Sequence, residues 1–453
     1  MSAARRIGIL AGGGTLPREI ADSIAARGIP LHIVALDSEA NADFGPYPVT
    51  RVNWGEIGRM VSTFKETGCS DLIIIGSVTR PDLTTIKPDL GFVRALGTVL
   101  GLVLAGGDDS VLRGVIAFFE RRGFRVVGPA DLVPELVIGA GVLVGCNDGR
   151  TLGSDAKAGF DIIAALGRFD IGQAAVVSHG RLEALEGAEG TDRMLQRVAE
   201  QRHTEGLGLS ECTGVLVKRT KPAQDNRIDM PVIGPNTVRH AVDCNLCGIV
   251  VEARRVLTAN RGALFEHAQS SGICIAGVDL DEGDVARNDT RGYNSLSARL
   301  LRHIKSRRST RKLAFQSVGR HATPSRALGD AKMGLDVMAA MEPIGGTRAV
   351  VVVRGHVLAV ETGEGVSVAI ARAAGLRQWG DRRLMRRAGV VVIDAGRDCL
   401  PELIAHMEKG GFAGLVVKLR RFTAGVPADT IACADKSGMF VAGVAADGEH
   451  GDG

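Results

Sequence analysis

Part of this chain occurs twice, and that repetition restricts its fold more than any other feature. Asp155-Ala-Lys-Ala-Gly-Phe-Asp161 returns as Asp330-Ala-Lys-Met-Gly-Leu-Asp336, an offset of 175 residues. The offset persists: Val176 and Val177 meet Val351 and Val352, Gly180 meets Gly355, Glu186 meets Glu361, and Gly214-Val-Leu-Val217 meets Gly389-Val-Val-Val392. It then falls to 166, where Gly248-Ile-Val-Val251 meets Gly414-Leu-Val-Val417 and Gly272–Val278 meets Gly438–Val444. Nine residues are therefore missing from the second copy between these blocks. A long internal match of this kind means one supersecondary unit built twice. The spacing predicts two homologous α/β domains at 150–285 and 326–446, joined by a linker at 286–325.

Ahead of the repeat, residues 1–145 alternate short apolar runs with amphipathic ones. Arg6–Ala11 reads as a strand, Gly12-Gly13-Gly14 as a turn, and Pro17 as the first turn of a helix reaching about Arg27. Leu31–Leu36, Asp71–Ile75 and Arg125–Val127 read as further strands, and Asp109–Arg122 as a helix. This alternation predicts a Rossmann-like parallel sheet with ligands at its carboxyl edge. Gly12, Gly13 and Gly14 would lie at that edge and offer backbone amides to an anion. The segment Gly76–Pro81, with Ser77 and Arg80, would lie there too. Asp109 opens an apolar helical run, most simply as a cap, the alternative being a substrate-ligand or metal role; Arg80 and Arg113 are candidate phosphate contacts.

The copies differ where chemistry is expected. Lys218–Pro235, KRTKPAQDNRIDMPVIGP, falls at the nine-residue gap and has no counterpart. Its three prolines argue against a helix. In an extended segment, Asp225, Arg227 and Asp229 face one way, with Lys218 and Lys221 just upstream. Carboxylates suit a hard divalent cation and Lys or Arg suit phosphate oxygens, a combination fit for phosphate-ester or pyrophosphate hydrolysis. The alternative is a surface ion-pair cluster. Elsewhere Thr191 and Asp192 become Val366 and Ser367, and Gln173 becomes Arg348.

Composition excludes other classes. Aromatic residues are 4% and the net charge is +4, too little for a base-stacking or generally basic nucleic-acid binder. The eight cysteines lie in apolar stretches behind no secretory leader, so buried thiols in a reducing cytoplasm are expected. Zinc at Cys244 and Cys247 would need a second ligand pair of suitable spacing, which the sequence lacks. Arg299–Arg320 carries eight Lys or Arg and no acid, either a solvated linker or a peripheral contact with anionic lipid.

Several segments together, AGGGTLP, GSVTRPDL, GDDSVLRGVIAFFERRGF, DIGQAAVV, EGTDRML and KPAQDNRIDMPVIGPNTV, resemble in order the LpxI-type UDP-2,3-diacylglucosamine pyrophosphatases of lipid A biosynthesis. The resemblance covers about residues 5–280 and implies Mg2+-dependent hydrolysis of a lipid-linked UDP-sugar. It carries the family's essential aspartate to Asp229 in Arg227-Ile-Asp229-Met-Pro231. The chemistry of the neighbouring residues adds an expected mechanism, in which Asp229, helped by Asp225, holds Mg2+ or orients water while Lys221 and Arg227 neutralise the phosphoryl oxygens. Ser77, Gln173, Thr191, Asp192 and Gln224 fall in the shared segments and, with Lys218 just upstream of the last of them, are expected to contact substrate. The second copy is expected to be a non-catalytic scaffold, with contact to the inner membrane and a homodimer both open. Two other readings are an NAD(P)-dependent oxidoreductase, resting on the glycine turn and on Asp37 or Glu39, and a non-catalytic nucleotide- or lipid-binding scaffold.

Overall fold

The computed structural model describes residues 6–78, 89–92, 108–145, 149–204, 206, 211–221, 224–280, 314–376, 387–394, 400–419 and 425–445. The chain divides into two compact units. One comprises Met1–Asn147, Lys218–Val242 and Leu246–Glu282; the other comprises Asp148–Val217, Asp243–Asn245 and Gly283–Gly453.

In the first unit, β1 (Ile7–Ala11), β2 (Leu31–Leu36), β3 (Val49–Val52), β4 (Asp71–Ile75) and β5 (Arg125–Val126) form an all-parallel sheet in the order β3-β2-β1-β4-β5. Strands β1, β2 and β4 are apolar almost throughout, as strands covered on both faces must be. Strand β3, VTRV, is short and half exposed, and its weak pattern hid it from sequence reasoning. The order places a topological switch between β1 and β4: the chain runs outward through β2 and β3, then returns to the other side of β1. Ligands of open α/β sheets bind outside the carboxyl ends at such a point.

The repeated part forms two six-stranded sheets of one design. The first has the order β6 (Gly141–Val144), β13 (Cys274–Val278), β11 (Gly248–Glu252), β9 (Val215–Lys218), β7 (Ala174–Ser178), β8 (Arg181–Leu185). The second has the order β14 (Ala314–Val318), β19 (Phe440–Ala445), β18 (Gly414–Leu419), β17 (Val390–Asp394), β15 (Ala349–Val353), β16 (His356–Val360). Even the edge register repeats: Gly277 faces Gly141 as Gly443 faces Gln316. Both edge strands fall outside the expected domain limits. Strand β6 lies within the N-terminal segment 1–145 and β14 within the linker range 286–325. They share no residue pattern, so only their pairing reveals them as equivalents.

Local devices are duplicated as well. Asp155 accepts from the amides of His179 (3.0 Å) and Gly180 (2.7 Å). Asp330 does the same for Arg354 (2.9 Å) and Gly355 (2.7 Å). His179 and Arg354 both adopt positive φ, 50° and 53°, which these carboxylate ties hold in place. Gly159 lies against Val217 as Gly334 lies against Val392; a Cβ at either glycine would come within 2.5 Å of the valine.

Candidate active site

The glycines after β1 do not present an anion cradle. Gly12 donates to Ile75 O (2.8 Å), Gly13 to Ser77 O (2.7 Å), and Gly14 to Asn41 Oδ1 (3.1 Å). The expected free amides are thus spent inside the protein. What the glycines provide is closeness: a Cβ on Gly12 would meet Ser77 O at 2.5 Å, and one on Gly76 would meet Gly12 C at 2.7 Å. The ends of β1 and β4 can therefore touch, with Ser77 exposed at the switch. Arg80 lies outside the described residues, and Asp109 stands in the first turn of the helix Asp108–Glu120.

The segment after β9 is not extended. Ile228 and Asp229 donate their amides back to Asp225 O (3.3 and 3.2 Å), so residues 225–229 close a tight turn. This corrects the expected alternation of side chains: Asp225 and Arg227 meet because the turn folds them together. Arg227 Nε reaches Asp225 Oδ1 (3.0 Å) and Nη2 reaches Oδ2 (2.8 Å), while Nη1 reaches Glu120 Oε1 (2.8 Å). The guanidinium holds the Asp225 carboxyl below the usual carboxylate range, and Asp225 in turn raises Arg227. Gln224 links the turn to its stem, accepting from the Lys221 amide (2.9 Å) and donating to Asp229 Oδ2. Lys221 and Lys218 are buried, and Lys218 Nζ donates to Val232 O (2.8 Å).

Apolar residues seat this turn on the parallel sheet. Met230 joins the core formed by Ile9, Ala11, Val133 and Leu257, and Ile228 packs on the cluster of Phe118, Phe119 and Phe124. Strand β10 (Val232–Ile233) then pairs with β12 (Leu257–Thr258). Gly128, just past the carboxyl end of β5, lies against the turn, where a Cβ would sit in ordinary contact 3.4 Å from Arg227 Cα. A cleft of about 420 Å³ results, lined by Arg113, Gly128, Ala130, Asp131, Gln224, Asp225, Asn226 and Arg227. Its size suits a small organic ligand. Asn226 Oδ1 has no hydrogen-bond partner. Sequence reasoning missed Glu120, Asp131 and Asn226. Gly128-Pro129 after a strand was the one signal of a boundary there, whereas Glu120 carried none.

Gln173, Thr191 and Asp192 belong to the second unit. Glu186 gathers two of them, accepting from the Gln173 amide and the Thr191 hydroxyl, both at 2.7 Å. Its equivalent Glu361 accepts from the amides of Arg348, Gly363 and Gly365. Asp37 pairs with Arg51 at 3.5 Å. Cys244 is buried and free, its thiol pushed up to about 12 by burial, and its Sγ donates to Leu195 O. Cys212, Cys247 and Cys274 are disulfide-bonded, which corrects the expectation of thiols at those three positions; Cys274 opens β13, and its amide donates to the O of Cys247, the residue just before β11. Among the described residues, no three His, Cys, Asp or Glu converge as a metal-binding group. No helix among them is long and apolar enough to cross a membrane.

A doubly wound sheet whose carboxyl edge carries a charged turn and a cleft defines an α/β protein of the kind that handles nucleotides and phosphates. Comparison narrows the class. The LpxI N-terminal domain matches residues 6–136, and the LpxI C-terminal domain matches twice, at 139–276 and 316–442. The chain belongs to the LpxI family. It is similar to the UDP-2,3-diacylglucosamine pyrophosphatase LpxI of Caulobacter vibrioides (strain ATCC 19089 / CIP 103742 / CB 15), with 36% identity over 280 residues that cover 61% of this chain and 99% of the relative. An aligned stretch of that length cannot hold the N-terminal segment and both copies.

Proposed function

We propose that the protein hydrolyses the pyrophosphate bond of UDP-2,3-diacylglucosamine, giving UMP and 2,3-diacylglucosamine 1-phosphate in lipid A biosynthesis. The observation that carries this reading is the Gln224–Pro231 turn. It exists in one copy only, and it closes a polar cleft at the carboxyl end of the nucleotide-type sheet. Membership of the family and the name of the C. vibrioides relative support the same reaction.

The uridine phosphate lies along the carboxyl edge, near Ser77 and the β1–β4 switch. Water adds to one phosphorus, the bridging P–O bond breaks, and each product leaves as a phosphate monoester. Asp229 is the group that orients the attacking water, its carboxylate held by Gln224. Arg113 and Lys221 offset charge on the phosphoryl oxygens. Arg227 is committed to Asp225 and Glu120, so it positions the turn rather than meeting substrate directly. Mg2+ is commonly held by one or two carboxylates plus substrate phosphates: Asp229 would hold it and the ion would supply charge neutralisation at the diphosphate, whereas both oxygens of Asp225 already accept from Arg227. The reading also places the enzyme at the cytoplasmic face of the inner membrane, in peripheral contact with its lipid substrate.

Release of UMP from the lipid nucleotide, followed with and without a chelator, tests the reaction. The expected result is Mg2+-dependent release by the full chain and none by Asp229→Ala. Near-normal release by a folded Asp229→Ala protein removes the mechanism. Stabilisation by NAD and not by UMP in a thermal-shift comparison favours the oxidoreductase reading instead.

A further inference from the structure

Four buried charges join the two copies within the second unit. Arg197, in the helix Thr191–Thr204, pairs with Glu189 of its own copy (3.2 Å) and with Glu364 of the other (3.5 Å). Arg372, in the helix Val366–Leu376, pairs with Glu364 of its own copy and with Glu189 of the other (3.1 Å). Arg372 is Arg197 advanced by 175 residues, and Glu364 is Glu189 advanced by the same 175. Exchanging the copies therefore maps the cluster onto itself. All four side chains are between 3% and 12% exposed. Beside them Ile171, Leu185 and Gly187 face Val357, Leu358 and Ala359.

A contact in which i meets j′ while j meets i′ is the signature of an isologous, two-fold interface between identical subunits. Drift after a duplication has no reason to retain it unless the two faces stay together. The charges are imperfectly satisfied: Arg197 Nε and Nη1, Arg372 Nε and Glu189 Oε2 lack hydrogen-bond partners. Buried ions of this kind add little net stability but penalise any misaligned pairing. The ring therefore fixes which face meets which.

From this geometry we infer that the face formed by Leu185–Gly187, Glu189 and Arg197 is a self-pairing subunit interface, and that the second copy is its built-in occupant. The nine-residue gap stripped that copy of the turn and left the face intact. The chain is accordingly a pseudo-dimer with one reaction site, and it has no need of a second chain to cover this face. The inference rests on the duplication and not on the proposed reaction.

The test uses the full chain with a protease site inserted at residue 295, cut after folding. Light scattering coupled to size exclusion should show a monomer before the cut. After it, the two fragments should still co-elute at that same mass. Arg197→Glu with Arg372→Glu leaves four acids in the cluster and should weaken fragment association by about a hundredfold or more. Adding Glu189→Arg and Glu364→Arg reverses the ring and should restore association, which separates a lost contact from a misfolded protein. Wild-type fragments that part on cutting, or Arg197→Glu/Arg372→Glu fragments that hold as tightly as wild type, overturn the inference.

Discussion

The two copies of the repeated domain keep the same sheet order, the same carboxylate ties and the same glycine–valine contacts, yet only one keeps the turn from Gln224 to Pro231. Everything retained in both is a steric or hydrogen-bonding need of the scaffold. Asp155 and Asp330 hold backbone in a strained region, and Gly159 and Gly334 leave room for a valine. What one copy lost is a segment that the scaffold does not need, because β17 and the helix Leu400–Gly410 persist on either side of the gap. A duplicated fold thus separates residues that the scaffold requires from residues that it can do without.

The sharpest way to break this comparison is to remove an acid from each side. Asp229→Ala should lower UMP release at least roughly a hundredfold, the scale of a positioned acid–base group. Asp394→Ala, at the end of β17, should leave release unchanged in the same assay. Equal losses would mean that the second copy also takes part in the reaction. Next come the matched glycines. Gly159→Val and Gly334→Val each force a side chain onto a buried valine and should cost about 1–3 kcal/mol in denaturant unfolding. A large cost at one and none at the other would show that the scaffolds are not equivalent.

A smaller effect sharpens the account of the turn. Asp225 has a depressed carboxyl value in the folded protein because Arg227 bonds it. Its pairing therefore stabilises fully above the unfolded value of about 3.9 and is lost as pH falls through the lower folded value. Arg227→Ala should cost about 1 kcal/mol or less, since both groups are partly solvated. That cost should be constant from pH 5 to 8 and shrink below about pH 4 in denaturant titrations. The smallest effect is kinetic. Cys244, 1% exposed and with its thiol pushed up to about 12, should resist iodoacetamide at pH 8 in the folded chain. The half-buried Cys433 of the second copy should react before Cys244.

Much of this architecture was legible beforehand. The strands β1, β2 and β4 announced themselves as apolar runs, and the repeat offsets marked both copies and the gap. Edge elements were not: β3, β6 and β14 are short, and pairing rather than pattern defines them. The turn was legible as a place but not as a shape. Three prolines excluded a helix and left extended chain as the simplest reading, whereas the bonds from Ile228 and Asp229 to Asp225 depend on Met230 and Ile228 finding apolar seats on a distant sheet. The glycine run was legible as a strand-end turn, but the demand of Ile75 and Ser77 for its amides was not.

The missing nine residues have a consequence for how the protein responds to its ligand. Two-fold assemblies ordinarily carry paired sites and, through them, a means of sharpening saturation into a sigmoid. Here the internal symmetry survives while the second site does not. Titration should therefore end at one equivalent per chain, with occupancy rising hyperbolically with concentration; a second equivalent or a sigmoid would show a site in the other copy.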